Sequence, residues 1–126
     1  MIRNIILLVF ILILTACGAN TKSELMATAK LHAEYSVNDN YQSVYKRILE
    51  KITECSGVEF VRWNIYTELA EAEIYMLGAY SSGYLFLAEI KKGEGDISDL
   101  RVYSKFSTSR PMELIRMGAY GEQGCP

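Results

Sequence analysis

Hydrophobic residues spaced at helical intervals predict one long helix in the first half of the chain. The charged residues of the same segment fall on the other side of the helix. Asn40 can cap its first turn by accepting a backbone N–H bond, and Gly57 is suited to end it. The predicted apolar face carries Tyr41, Val44, Tyr45, Ile48, Ile52 and Cys55.

The segment before this helix alternates apolar and polar positions. Apolar residues occupy positions 31, 33, 35 and 37, and polar residues lie between them. This alternation is typical of a half-buried strand, although a helix over residues 23–34 competes with that interpretation.

After the long helix, the pattern predicts four strands. The first covers residues 60–66 and is expected to bury Val61, Trp63 and Ile65. The second and third are expected to form a hairpin, because Gly83 can take the left-handed conformation at the end of a three-residue loop. This register pairs Glu73 with Lys91, Tyr75 with Glu89, and Leu77 with Leu87.

The fourth strand is expected to pair with the third through the glycine-containing turn at residues 93–96. Its register brings opposite charges together twice. A helix over residues 68–80 is possible from propensity alone, but the agreement of the two registers favours strands. The predicted pairs are Ile90 with Leu100, Ala88 with Val102, Phe86 with Ser104, Lys91 with Asp99, Glu89 with Arg101, and Leu87 with Tyr103.

A short helix is predicted near the end of the chain, with Pro111 in its first turn and Gly118 at its end. Residues 119–126 are expected to form no element. Together these patterns predict an α+β fold. An antiparallel meander of four to five strands carries the long helix and the short C-terminal helix on one face.

The first 16 residues have the pattern of a signal peptide. Arg3 precedes an unbroken apolar run from residue 5 to residue 14. About 10 residues are too few to cross a bilayer core of roughly 30 Å, although a retained membrane anchor is the alternative. Without residues 1–16 the chain keeps 12 basic and 15 acidic residues, a formal charge of −3. No basic cluster predicts nucleic-acid binding.

Leu14-Thr15-Ala16-Cys17 resembles the lipobox of bacterial lipoproteins. The resemblance implies cleavage before Cys17 and a lipid on its thiol, which would attach the protein to a membrane. Gly18 favours the outer membrane with the domain facing the periplasm; the inner membrane and the cell surface remain alternatives. We expect residues 17–28 to be the lipidated N-terminus and tether, and residues 29–126 to form a single domain.

Cys55 and Cys125 are the two cysteines left, and an oxidising compartment favours a disulfide between them. His32 is the only histidine, and two cysteines with one histidine match no usual metal site. Neither cysteine lies in a C-x-x-C pair. We expect no catalytic residues, no metal and no cofactor, and therefore no enzyme.

One face of the predicted sheet combines aromatic, aliphatic and charged side chains, a composition common in protein-binding surfaces. The alternatives are a solvated face, or a face covered by the N-terminal segment or by a partner chain. The predicted partner-binding residues are Tyr75, Leu77, Leu87 and Tyr103 at the centre, with Glu89 and Arg101 towards the edge.

The arrangement resembles small uncharacterised lipoproteins of Gram-negative bacteria. The resemblance rests on the lipobox, on Tyr41, Tyr45 and Ile48 leading to Cys55, on the acidic turn before Ile74-Tyr75, and on Val102-Tyr103-Ser104. It implies no known reaction. The sequence therefore predicts a non-catalytic, lipid-anchored envelope protein that binds another envelope protein. The alternative is a module that binds a small ligand or a lipid.

Overall fold

A computed structural model describes residues 21–77, 83–105 and 109–126. It contains a five-stranded antiparallel sheet, three α-helices and one short 3₁₀ helix. The α+β fold is thus confirmed. The elements are α1 (Lys22–Thr28), β1 (Lys30–Val37), α2 (Tyr41–Ser56), the 3₁₀ helix (Val58–Phe60), β2 (Val61–Tyr66), β3 (Glu71–Leu77), β4 (Tyr84–Lys92), β5 (Ser98–Ser104) and α3 (Ser109–Tyr120).

The strands lie in the order β1-β5-β4-β3-β2. Strands β2 to β5 form the predicted meander, and β1 adds the fifth strand at the β5 side. Helix α2 packs on one face of the sheet, which we call the inner face, and α3 packs against α2. The opposite face is called the outer face.

Helix α2 has the predicted ends and the predicted apolar face. The Asn40 side chain accepts a bond from the backbone N–H of Ser43 at 3.0 Å, and Gly57 ends the helix with φ +95°. Val44, Ile48 and Ile52 are fully buried against the inner face. These three residues form the centre of the core, because they lie on the side of the helix that meets the sheet.

Helix α3 does not end at Gly118, as the sequence predicted, but continues to Tyr120. Gly118 lies where α3 meets α2: a Cβ atom there would be 2.7 Å from the Ile48 Cα. The helix ends at Gly121, with φ +68°, and the Glu122 N–H donates to the Met117 carbonyl at 2.9 Å. Gly118 therefore allows close helix packing, and Gly121 is the stop.

The predicted register between β4 and β5 is confirmed at all six pairs. The register between β3 and β4 was wrong by two residues: Glu73 lies opposite Glu89, and Lys91 lies opposite Glu71. The pairing shifts between Met76 and Leu77, so an uninterrupted hairpin is the wrong template. Residues 78–82, which hold most of the predicted loop, lie outside the described residues. A register shift of two residues leaves each side chain on the face of the sheet that the sequence predicted.

Trp63 and Ile65 were predicted to be buried, and the structure corrects this. They are 44% and 41% exposed, whereas Val61 of the same strand is fully buried. All three point to the inner face, where they pair with core residues of β3. Helix α2 packs on β3, β4 and β5. Because β2 is the edge strand, its residues after Val61 lie beyond the part of the inner face that α2 covers.

The N-terminal part of the described chain differs from the expected tether. Residues 22–28 form α1, and Leu25 is fully buried. Residues 30–37 form the predicted strand. Of the competing helix over residues 23–34, only the part up to Thr28 is helical in the structure. The predicted signal peptide and Cys17 lie outside the described residues.

Cys55 and Cys125 form the predicted disulfide, with their Cα atoms 5.7 Å apart. Two further contacts hold the C-terminal segment against the helices. Lys51 Nζ donates to the Gly124 carbonyl at 2.7 Å, and the Arg110 guanidinium donates to the Pro126 carbonyl. The segment after α3 is therefore fixed without forming an element.

Candidate functional site

Helix α1 covers the outer face where β3 and β4 pair. Leu25 packs against Tyr75 and Leu87, and Ala29, Tyr84 and Tyr103 surround this contact. We call these six residues the outer-face cluster. Tyr75 is 5% exposed and Leu87 is fully buried. The predicted centre of an exposed binding face is therefore covered, and the N-terminal segment, one of the alternatives from the sequence, provides the cover.

Two carboxylates lie beside this cluster. Glu73 and Glu89 are directly opposite each other on β3 and β4, and both are buried. Lys22 Nζ lies 3.2 Å from Glu73 Oε2 and 3.0 Å from Glu89 Oε2. Tyr75 donates its hydroxyl to Glu73 at 2.6 Å, and Lys91 approaches the other Glu89 oxygen at 3.4 Å. The Lys22 ammonium group therefore contacts both carboxylates, which would otherwise repel each other.

The ionisation of these groups follows from the contacts. Burial would raise the pKa of Glu89, but its bond to Lys22 and the charges of Lys22 and Lys91 lower it. Burial would lower the pKa of Lys22, but Glu89 and Glu73 raise it. Burial and the bond to Glu73 raise the pKa of Tyr75. The ion pair between α1 and the sheet is thus favoured in its charged form.

Helix α1 has few interactions of its own. Its cap is the Thr21 side chain, which accepts the backbone N–H of Glu24 at 3.2 Å. Seven residues are too few for a helix that is stable alone in water, so α1 depends on its contacts with the sheet. Leu25 and Lys22 supply these contacts, and Met26 is exposed on the other side.

The structure brings together only part of the predicted binding set. Tyr75, Leu87 and Tyr103 belong to the outer-face cluster, and Glu89 lies beside it. Leu77 is half-buried at the end of β3, where it pairs with Tyr84. Arg101 is exposed; it binds Glu34 of β1, with Nε 2.9 Å from Oε1, and its side chain also hydrogen-bonds to Tyr103 at the border of the cluster.

Sequence reasoning did not include Lys22 and Leu25 in the site. The available signal was Thr21-x-x-Glu24, the spacing of a capping box, which indicates a helix start. Residues three apart lie on one face of a helix. The two contact residues of α1 could therefore have been placed together once the helix was recognised.

Three surface depressions are shallow, and neither Glu73 nor Glu89 lines any of them. One of about 390 Å³ is lined by residues of β1 and β5, including Tyr35 and Arg101. Two others, of about 240 and 450 Å³, lie around Arg47 and the end of α3. None of the three lies between α2 and the sheet, where the alternative of a ligand-binding module would need a cavity. In residues 21–77, 83–105 and 109–126, no cluster of three potential metal ligands is found.

No family model, curated protein or solved structure matches this chain. Within the described ranges, none of the helices combines the length and the hydrophobicity needed to cross a bilayer.

Proposed function

We propose that this chain is a non-catalytic, lipid-anchored envelope protein whose outer face binds a helix of another envelope protein. Helix α1 occupies that face in the absence of the partner. The observation that carries the proposal is the seating of α1: Leu25 is fully buried in the outer-face cluster, while Lys22 reaches both Glu73 and Glu89.

The chemistry of the face defines the kind of helix that fits it. An aromatic and aliphatic surface accepts one aliphatic side chain, and the adjacent acid pair accepts one cation. Lys22 and Leu25 are three residues apart and present these groups together. A partner helix should therefore carry a lysine or arginine three residues before a leucine or a similar side chain.

The contacts of α1 are few enough for it to be exchanged. Complete burial of one leucine contributes about 1.5–3 kcal/mol. The Lys22 side chain is 41% exposed, so solvent weakens its ion pair. A longer partner helix that adds contacts beyond these two would bind the uncovered face more tightly than α1 does, and would shift the population towards it.

The predicted anchor fits this arrangement. Cys17 precedes Lys22 by five residues, a distance of at most about 18 Å in an extended chain. A lipid on Cys17 would therefore keep α1 and the outer face close to the membrane surface. We propose the outer membrane, with the domain facing the periplasm, as the location.

A peptide with the sequence of residues 21–29 tests the binding face directly. In the full chain, Leu25→Ala should loosen α1 and uncover the face. We expect this variant to bind the peptide at least about fivefold more tightly than the wild type, since loss of a buried leucine contact costs more than 1 kcal/mol. Met26→Ala, which alters an exposed residue of α1, is the matched control and should behave like the wild type.

The same peptide separates the outer face from other surfaces. Adding Leu87→Ala to Leu25→Ala should abolish the gain in affinity, because Leu87 lies at the centre of the cluster. Binding that is unaffected by both substitutions would contradict the proposed helix-binding face. A cooperative thermal unfolding transition and an intact disulfide would show that the variants are folded.

The anchor is tested separately by labelling cells with radioactive palmitate. The wild-type chain should be labelled and should fractionate with the outer membrane, whereas Cys17→Ser should accumulate as an unlabelled precursor. Processing and outer-membrane fractionation of Cys17→Ser would refute the anchor without affecting the peptide result.

A further inference from the structure

Strand β2 is unusually exposed for a strand of a small sheet. Five consecutive residues, from Arg62 to Tyr66, are exposed, and only Val61 is buried. The exposed side chains include Trp63 and Ile65 on the inner-face side and Tyr66 on the outer-face side. Apolar and aromatic groups on both sides of an edge strand are typical of a surface that pairs with another strand.

The two edges of the sheet are built differently. At the opposite edge, β1 carries Lys30 and Glu34, and its pairing with β5 is interrupted between Leu31 and Ala33. Charges and bulges are the usual means of preventing edge-to-edge association. The pairing of β2 with β3 is continuous, and Arg62 is the only charged residue in β2. Only the β2 edge is left suitable for pairing.

The charges around β2 are complementary to a second copy of the same strand. Arg62 lies near the start of β2, and Glu68 lies in the turn that follows it. Neither side chain forms an ion pair within the described part of the chain, and Arg62 bonds only to the Val61 carbonyl at 2.8 Å. If two β2 strands run antiparallel, Arg62 of each copy comes near Glu68 of the other.

We propose that β2 pairs with β2 of a second copy to form a ten-stranded sheet across a two-fold axis at Asn64. In this register Trp63 lies opposite Ile65 of the other copy, and Arg62 lies opposite Tyr66, at the end of the strand where the turn with Glu68 begins. The exposed inner-face side chains of both copies would then form one apolar layer between the two α2 helices. Tyr66 of this edge is hydrogen-bonded to Glu73 of the outer face, but strand pairing needs no partner helix on that face, so the proposal does not depend on the proposed function.

A second copy fits this edge better than an unrelated chain does. Arg62 at one end of the segment and Glu68 at the other end can approach each other between two copies only if the strands are antiparallel. The two-fold axis then repeats each contact. The Asn64 register also overlaps nearly the whole strand. Direct pairing of residues 62–66 leaves only the first residue of β2 outside it.

Charge reversal tests this arrangement in the full chain. Two copies with different tags are coexpressed, extracted in a mild detergent and isolated through one tag; the fraction of the second tag that is recovered reports association. Arg62→Glu or Glu68→Arg each turns two attractive contacts into repulsive ones. We expect either substitution to weaken association by about tenfold, since each exposed pair contributes up to about 1 kcal/mol. The double variant should restore association.

A second pair of variants tests the strand edge itself. Ile65→Lys should abolish association, because it places a charge in the apolar layer. Leu31→Lys, at an exposed position of the opposite edge, is the matched control and should associate like the wild type. Thermal unfolding and the disulfide of all variants should match those of the wild type.

Three results would overturn the proposal. The first is a wild-type chain whose two tags are not recovered together. The second is a double charge variant that associates no better than the single variants. The third is a photocrosslinker at Asn64 that captures only proteins other than this chain.

Discussion

Glu73 and Glu89 lie directly opposite each other on adjacent strands, and both are buried. Two like charges in this position destabilise a sheet. Lys22 from α1 lies between them, 3.2 and 3.0 Å from their nearest oxygens. The packing of α1 and the stability of the central strand pair are therefore coupled.

This coupling predicts a loss of stability in acid. The pKa of Glu89 is lower in the folded chain than its ordinary value of 4.5. The contribution of ionised Glu89 to the free energy of unfolding is therefore present above pH 4.5. It is lost as the pH falls through the lower pKa that Glu89 has in the folded chain. Thermal unfolding followed from pH 7 to pH 3 should show a smaller decrease for Glu89→Gln than for the wild type. Glu94→Gln, in an exposed turn, should show the wild-type decrease.

Trp63→Ala should have little effect on stability. Because Trp63 is 44% exposed, we expect a loss below about 1.5 kcal/mol, whereas Ile48→Ala should cost about 2–5 kcal/mol. Denaturant unfolding of both variants at low concentration checks this. A larger loss for Trp63→Ala than for Ile48→Ala would contradict the assignment of Trp63 to an exposed edge.

Gly118→Ala should destabilise the chain although alanine favours helix. A Cβ atom at this position would lie 2.7 Å from the Ile48 Cα and 3.1 Å from the Arg47 carbonyl oxygen, so the backbones of α2 and α3 would have to separate. We expect a net loss of about 1–3 kcal/mol in the free energy of unfolding. Gln42→Ala, at an exposed helical position, should change it by less than about 0.5 kcal/mol.

Removal of the disulfide should cost about 4 kcal/mol. The bond joins residues 70 positions apart, and the chain-entropy model gives this magnitude for a loop of that length. Cys55→Ser/Cys125→Ser should show the loss in denaturant unfolding, and addition of a reductant to the wild type should reproduce it. A reductant that lowers the stability of the double variant equally would show that the effect does not come from this bond.

Local patterns were sufficient for much of the fold. The spacing of apolar residues in α2 reports directly on the side that is buried, and Asn40 and Gly57 have backbone roles that depend only on their neighbours. The β4–β5 register was predictable because apolar and charged pairs agree along the whole length of both strands. The disulfide was predictable because Cys55 and Cys125 are the two cysteines left once Cys17 is assigned to the predicted lipobox.

Tertiary structure decided the features that depend on distant neighbours. Trp63 has the inward-facing position that the sequence predicted, but its burial depends on how far α2 extends over the edge of the sheet. Gly118 has the position of a helix stop in the sequence, but in the structure it lies inside α3 where the backbone of α2 at Ile48 packs closely against it. The role of α1 depends on Glu73 and Glu89, which are 51 and 67 residues away from Lys22 in the chain and meet it only when β3 and β4 pair. Local sequence determines the conformations available to each segment, whereas burial and charge pairing are determined by the elements that the fold places beside it.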